Sequence, residues 1–362
     1  MVYLMPLVWV IFAGVLANSG GMMHRERVLG REERRATWVY ALIVMLPLIF
    51  LAGMRSSYFV DTYGYVKGYL ALPDLFSEKM AYIQSLTKDA GFYTFEVLVS
   101  MIAPGRARVF LMLVAIIQGF CIMKTYRRYS EDYWFAIFVF VATTDIYSWM
   151  YNGIRQFMAV ALIFGASGWI FRKKYIRAIL AICFASLFHK SALMMIPVIF
   201  FVQGKPWNWK MLLILAGTLV AMRFSSSFTR LLDSALVDTQ YSTVVSDWTR
   251  WGDDGTNPLR ALVYSVPTII SLFCLKKIQQ SGDRVIQVAC NMGIVTTALY
   301  LVSMVTSGIF MGRLPIYCSL YANGILLPWE LKHVCGKTVR TVAILCYMLF
   351  FFVQMRYGWG LI

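Results

Sequence analysis

Long apolar runs recur from one end of the chain to the other, and many of the connectors between them are short and dense in arginine and lysine. A helix that crosses a bilayer needs about 20 predominantly apolar residues. Taken as spans, the apolar runs lie at 2–18, 37–54, 107–123, 133–150, 155–171, 177–188, 190–202, 210–222, 259–275, 286–305, 313–331 and 339–356. With 362 residues, 59% of them hydrophobic and 14% charged, the chain lies outside the composition of a soluble globular domain. The predicted fold is therefore all-α: a polytopic membrane helix bundle of about 12 transmembrane helices, forming a single integral membrane domain over 1–362.

A net charge of +16 would point to nucleic acid if it covered one face of a soluble domain. Here the cations fall in the connectors His24–Arg35, Lys124–Arg128, Arg172–Arg177, Lys276–Arg284 and Lys332–Arg340. The positive-inside rule makes those connectors cytoplasmic and places both termini outside, which removes nucleic acid as a partner and leaves membrane lipids. The seven cysteines form neither a CxxC pair nor a metal-ligand spacing, and they read as small packing residues. The first apolar run lacks a basic leader and a clear cleavage site, so it is expected to be a retained span.

Two segments strain this scheme. Residues 177–202 are too few for two straight spans and too many for one, which predicts a broken or re-entrant helix beside protein or a wet cavity. The stretch Phe92–Ala103 is short and is expected at the interface. The connectors 55–91 and 223–257 are long and lie on the side opposite the basic ones. Long connectors without structure of their own are often functional, so the chemistry is expected outside.

Polar groups at membrane depth are costly and mark candidate sites. Arg55, Asp61, Tyr63, Tyr65 and Tyr69 follow the second run. An interfacial aromatic belt with a snorkelling arginine would account for the tyrosines and the arginine but not for Asp61. Asn152, Arg155 and Gln156 open the fifth run at spacings that share a helix face. The Arg155 guanidinium offers a fork suited to phosphate oxygens, or else anchors a lipid headgroup. His189 stands in FHKSA between two half-runs, where imidazole suits proton transfer or simple packing. Arg313 stands in GRLPIY at the outer start of the eleventh run. Arg223 and Trp248 sit in the second long connector, where an aromatic face would suit a sugar ring.

An arginine closing the second span, then Asp61, Tyr63 and Tyr65, then NGIRQ at 152–156, FHKSA at 188–192 and GRLPIY at 312–317, in that order, resembles the EpsG-like branch of Wzy-type polysaccharide polymerases. The resemblance implies a bacterial inner-membrane glycosyltransferase with a glycosyltransferase-C-like helical fold, its active site facing the periplasm or outside. It implies that undecaprenyl-diphosphate-linked repeat units of O-antigen, capsule or exopolysaccharide serve as donor and acceptor, without metal or other cofactor. A chain-length co-polymerase is an implied partner. The residues fit such a reaction. Arg155 and Arg313 would stabilise the diphosphate leaving group, with Arg55 and Arg223 in support. His189, with Asp61 as the second choice, would take the proton of the attacking hydroxyl. Asn152, Gln156, Tyr63 and Trp248 would orient the substrate. A lipid-linked oligosaccharide flippase would also need a cationic cavity but no base. An acyltransferase built around His189 would meet its thioester donor on the other side.

Overall fold

The computed structural model describes residues 4–17, 21–236, 255–358 and 360, and these are 76% helical with one small sheet. The chain forms two compact units, Met1–Ile196 with Lys337–Ile362, and Pro197–Gly336.

In the first unit, α1 (Met5–Leu16) leads to a hairpin of β1 (Met23–Val28) and β2 (Arg31–Ala36). Leu29 and Gly30 both have positive φ, as a two-residue turn with the twist of the flanking strands requires. The connector expected between the first two spans is thus a ribbon, with Val28 paired to Arg31 and Met23 to Ala36. It is fastened to the end of a later helix: Arg127 Nη2 lies 2.8 Å from Glu26 Oε2, and Arg35 donates to the carbonyls of Arg128 and Ser130.

Thr37 caps α2 (Trp38–Gly53) by accepting from the Tyr40 amide. Then come α3 (Thr62–Leu70), α4 (Phe76–Ser85), α5 (Ala90–Ile102), α6 (Ala107–Tyr129), α7 (Tyr133–Ala142), α8 (Asp145–Ser148), α9 (Ile154–Gly165), α10 (Ser167–Phe171) and α11 (Tyr175–Ser186). In hydrocarbon there is little hydrophobic drive between helices, so polar side chains that reach a neighbour's carbonyl add to association. Gln118 and Thr125 of α6 donate to Ile154 and Phe164 of α9, each at 3.0 Å. Tyr133 reaches Ala41 of α2 at 3.0 Å, and Trp134 reaches Val10 of α1 at 2.8 Å.

The break expected within 177–202 is present. The chain leaves α11, turns through an extended His189, winds a short 3-10 turn over Lys190–Met194 and enters α12 (Met195–Phe201). Other expected spans are interrupted as well. The run 133–150 stops where Thr144 takes φ +44°, and the run 155–171 divides between α9 and α10.

The second unit comprises α13 (Trp209–Arg223), α14 (Ser225–Leu236), α15 (Pro258–Phe273), α16 (Leu275–Ser281), α17 (Arg284–Ser303), α18 (Ile316–Tyr321) and α19 (Leu327–Glu330). Asp283 caps α17 by accepting from the Val285 amide at 2.7 Å. The buried α17 forms the centre of this unit, with Tyr300 stacked on Tyr264 of α15 at 5.0 Å. α20 (Gly336–Val353) returns to the first unit, where Arg340 pairs with Asp132 at 2.5 Å.

Among the described residues, three helical runs are long and apolar enough to cross a membrane: Ala107–Tyr129, Arg284–Ser303 and Met311–Gly358. The last has 48 residues, enough for two spans, and Gly336 with φ +78° interrupts it. Two bent pairs also qualify if each is taken as one span, α13 with the start of α14 at 105° and α15 with α16 at 77°. The remaining apolar helices have 10–17 residues. The architecture is a polytopic helical membrane protein rich in broken helices, as the sequence predicts.

Candidate functional site

Four segments of the first unit converge on Arg155. Gly153 takes φ +66° and its position faces the Trp149 ring, which would lie 2.4 Å from any Cβ there, so only glycine fits this entry to α9. The helix then begins at Ile154, leaving Asn152 in the preceding turn. The helical face expected for Asn152, Arg155 and Gln156 is therefore not formed: Asn152 is outside the helix and Gln156 is buried, 4% exposed.

Arg155 Nη1 donates to Asp89 Oδ2 at 2.6 Å and to the Tyr93 hydroxyl at 3.3 Å, with its guanidinium 5.7 Å from the Tyr93 ring centre. Tyr65 also hydrogen-bonds this guanidinium. The arginine side chain is 25% exposed, whereas that of Asp89 is fully buried. Asp89 precedes α5 with φ +47°, and its second oxygen has no hydrogen-bond partner. Burial raises this carboxyl above the usual carboxylate range, against the pull of Arg155, Lys88 and Lys190. Two turns along α5, Glu96 is 2% exposed and also feels Arg155.

The chain after α2 supplies the second cation. Arg55 donates from Nη1 to the Ala52 carbonyl at 2.7 Å and from Nε to Thr62 Oγ1 at 2.8 Å, and its Nη2 is buried without a partner. Burial lowers this guanidinium to about 10, opposed by the hydroxyls of Tyr151 and Tyr65. Tyr151 is itself held through Tyr147, which donates to the Leu48 carbonyl. Asp61 begins α3 exposed, and its Oδ2 accepts from the Gly153 amide at 3.4 Å. Tyr65, half-buried, senses Arg55, Arg155 and Asp61 together, and its own hydroxyl is raised chiefly by burial. Tyr63 is exposed on the same short helix.

The fourth segment carries His189. The Gly91 amide donates to the Leu187 carbonyl at 2.8 Å, and a Cβ on Gly91 would stand 2.6 Å from Leu187 Cβ, so the chain just before His189 is seated on the start of α5. On its other side, Lys190 acts on Asp89. His189 Nδ1 lies 2.7 Å from Ser191 Oγ and accepts from the Ser191 amide at 3.4 Å.

The sequence therefore placed Arg55, Asp61, Tyr65, Arg155 and His189 in segments that the fold gathers, and missed Asp89, Tyr93, Glu96 and Tyr151. A signal for Glu96 was present, since an acid inside the apolar stretch FYTFEVLVSMI is costly without a partner. Arg313 and Arg223 belong to the second unit. Arg313 is exposed at the end of the 3-10 turn Met311–Arg313, and Arg223 closes α13 with its guanidinium 5.5 Å from the Phe224 ring. Trp248 lies outside the described residues. Among the described residues, no three His, Cys, Asp or Glu side chains gather as a metal-binding group.

No curated protein and no solved structure matches the chain. Residues 38–359 match the EpsG family, a span that begins at the first residue of α2 and takes in every member of the cluster around Arg155. On that match the chain belongs to the EpsG family.

Proposed function

We propose that this protein is a polysaccharide polymerase that joins undecaprenyl-diphosphate-linked oligosaccharide repeat units by glycosyl transfer on the outer side of the bacterial inner membrane. Membership in the EpsG family supports a polymerase of this general type. The observation that carries the finer reading is the Arg155 guanidinium, oriented by a fully buried Asp89 yet one-quarter exposed, beside a surface carboxylate at Asp61.

A hydroxyl of the acceptor sugar attacks the anomeric carbon of the donor. The carbon–oxygen bond to the lipid diphosphate breaks as the new glycosidic bond forms, and the hydroxyl proton passes to Asp61. Arg155, with Arg55 in support, stabilises the negative charge that develops on the diphosphate. Asp89 and Tyr93 hold the Arg155 fork in place, so that little reorganisation is needed as charge appears. Asp61 takes the base role in this scheme because its carboxylate is exposed at the site, whereas His189 Nδ1 lies against Ser191.

Purified protein given the repeat unit of its own glycan on undecaprenyl diphosphate should build a ladder of products on a gel. Asp61→Asn should abolish the ladder. Arg155→Lys, which keeps the charge and loses the fork, should slow it by about 100-fold or more. Transbilayer movement of the authentic substrate with no ladder would assign the chain to the transporter class.

A further inference from the structure

The first unit holds a cavity away from Arg155, along the C-terminal halves of α6 and α9 and beside α11. It encloses about 650 Å³, within the usual range for ligand pockets. One part of its wall is apolar, including Phe120, Leu162, Leu180 and Phe184. Phe120, Leu180 and Phe184 are also exposed on the outside of the unit, so the cavity opens sideways toward acyl chains. The rest of the lining carries four cations, Lys124, Arg128, Arg172 and Arg177, and no carboxylate. The Arg128 Nε is buried without a hydrogen-bond partner, and its guanidinium lies 5.9 Å from the ring centre of Tyr129, which also lines the cavity. The acid that acts on Tyr129, Glu26, is engaged by Arg127 at 2.8 Å and His24 at 3.3 Å.

We propose that this cavity binds an anionic phospholipid, its phosphate among Lys124, Arg128, Arg172 and Arg177 and an acyl chain along Phe120, Leu180 and Phe184. Four cations without a neutralising acid in the lining call for an anion. The apolar wall and lateral opening call for a hydrocarbon chain joined to it, which free phosphate lacks. Basic pockets between membrane helices bind lipid headgroups on this physical basis. Trp169, partly exposed in the lining, sits where an interfacial tryptophan belongs. This reading is independent of the polymerase proposal, since it uses none of that site's residues.

Tryptophan fluorescence of the full chain in detergent, titrated with brominated phosphatidylglycerol or brominated phosphatidylcholine, tests it. The anionic lipid should quench saturably at several-fold lower concentration than the zwitterionic one. The difference should shrink in Trp169→Phe, because a fluorophore that lines the cavity is then gone. Lys124→Gln and Arg172→Gln, both at exposed positions, should each raise the half-saturating concentration by about fivefold. Equal quenching by the two lipids would overturn the proposal, as would a difference that Trp169→Phe leaves undiminished. Displacement of the brominated lipid by inorganic phosphate alone would show an anion site with no preference for lipid and would also overturn it.

Discussion

Asp89 shows how the environment of one side chain sets its work. Its carboxylate is fully buried, yet one oxygen is paired with Arg155 at 2.6 Å and the other has no partner. Removing one member of a buried ion pair strands the other, so Arg155→Ala should cost roughly 3–5 kcal/mol of stability and confuse a loss of activity with a loss of fold. Asp89→Asn is the gentler probe. Because burial raises this carboxyl, the folded protein holds its proton more tightly than the unfolded chain does. Stability tied to it is then full below the unfolded value and is lost as pH rises through the folded one. The thermal stability of the wild type relative to Asp89→Asn should accordingly fall as pH rises across that window. A difference independent of pH, measured by melting in detergent, would refute this account.

At the scale of elements, the apolar runs and their connectors were readable because period, length and charge act locally. The break near His189 was readable as well, since a stretch of 177–202 cannot fit two straight helices. The hairpin was not, because eight of the twelve residues in MHRERV and REERRA are arginine or glutamate and the usual signal of a strand is an apolar alternation. What fixes the ribbon is tertiary: Arg127 on Glu26, and Arg35 on two carbonyls at the end of α6. Asp89 and Tyr93 were equally hidden, for they meet Arg155 across more than 60 residues of sequence. A lone two-stranded ribbon is marginal in water, so Arg127→Ala should free it without disturbing the bundle. In inside-out vesicles trypsin should then cleave near Arg31 and Arg34 several-fold faster than in the wild type, and unchanged cleavage would show that other contacts suffice.

For the whole molecule the decisive property is which end of each unit meets which compartment. In a cysteine-free background, Tyr63→Cys should react with a membrane-impermeant thiol reagent applied from outside, whereas Lys173→Cys should react only after the membrane is opened. Both positions are exposed, so access to solvent rather than packing decides the outcome. The reverse pattern would put the Arg155 cluster on the cytoplasmic side and remove the polymerase reading. The seven native cysteines need replacing first, because Cys183 and Cys346 are exposed.

The ribbon at Met23–Ala36 carries one more implication. Arg25 faces Arg34 and Glu26 faces Glu33 across its two strands, and like charges set opposite one another weaken such a pairing. Both outer margins are likewise studded with ions, which discourages a foreign strand from docking there. Protection against stray edge-to-edge association is thus bought with intrinsic instability, and the ribbon persists only while the end of α6 keeps its grip.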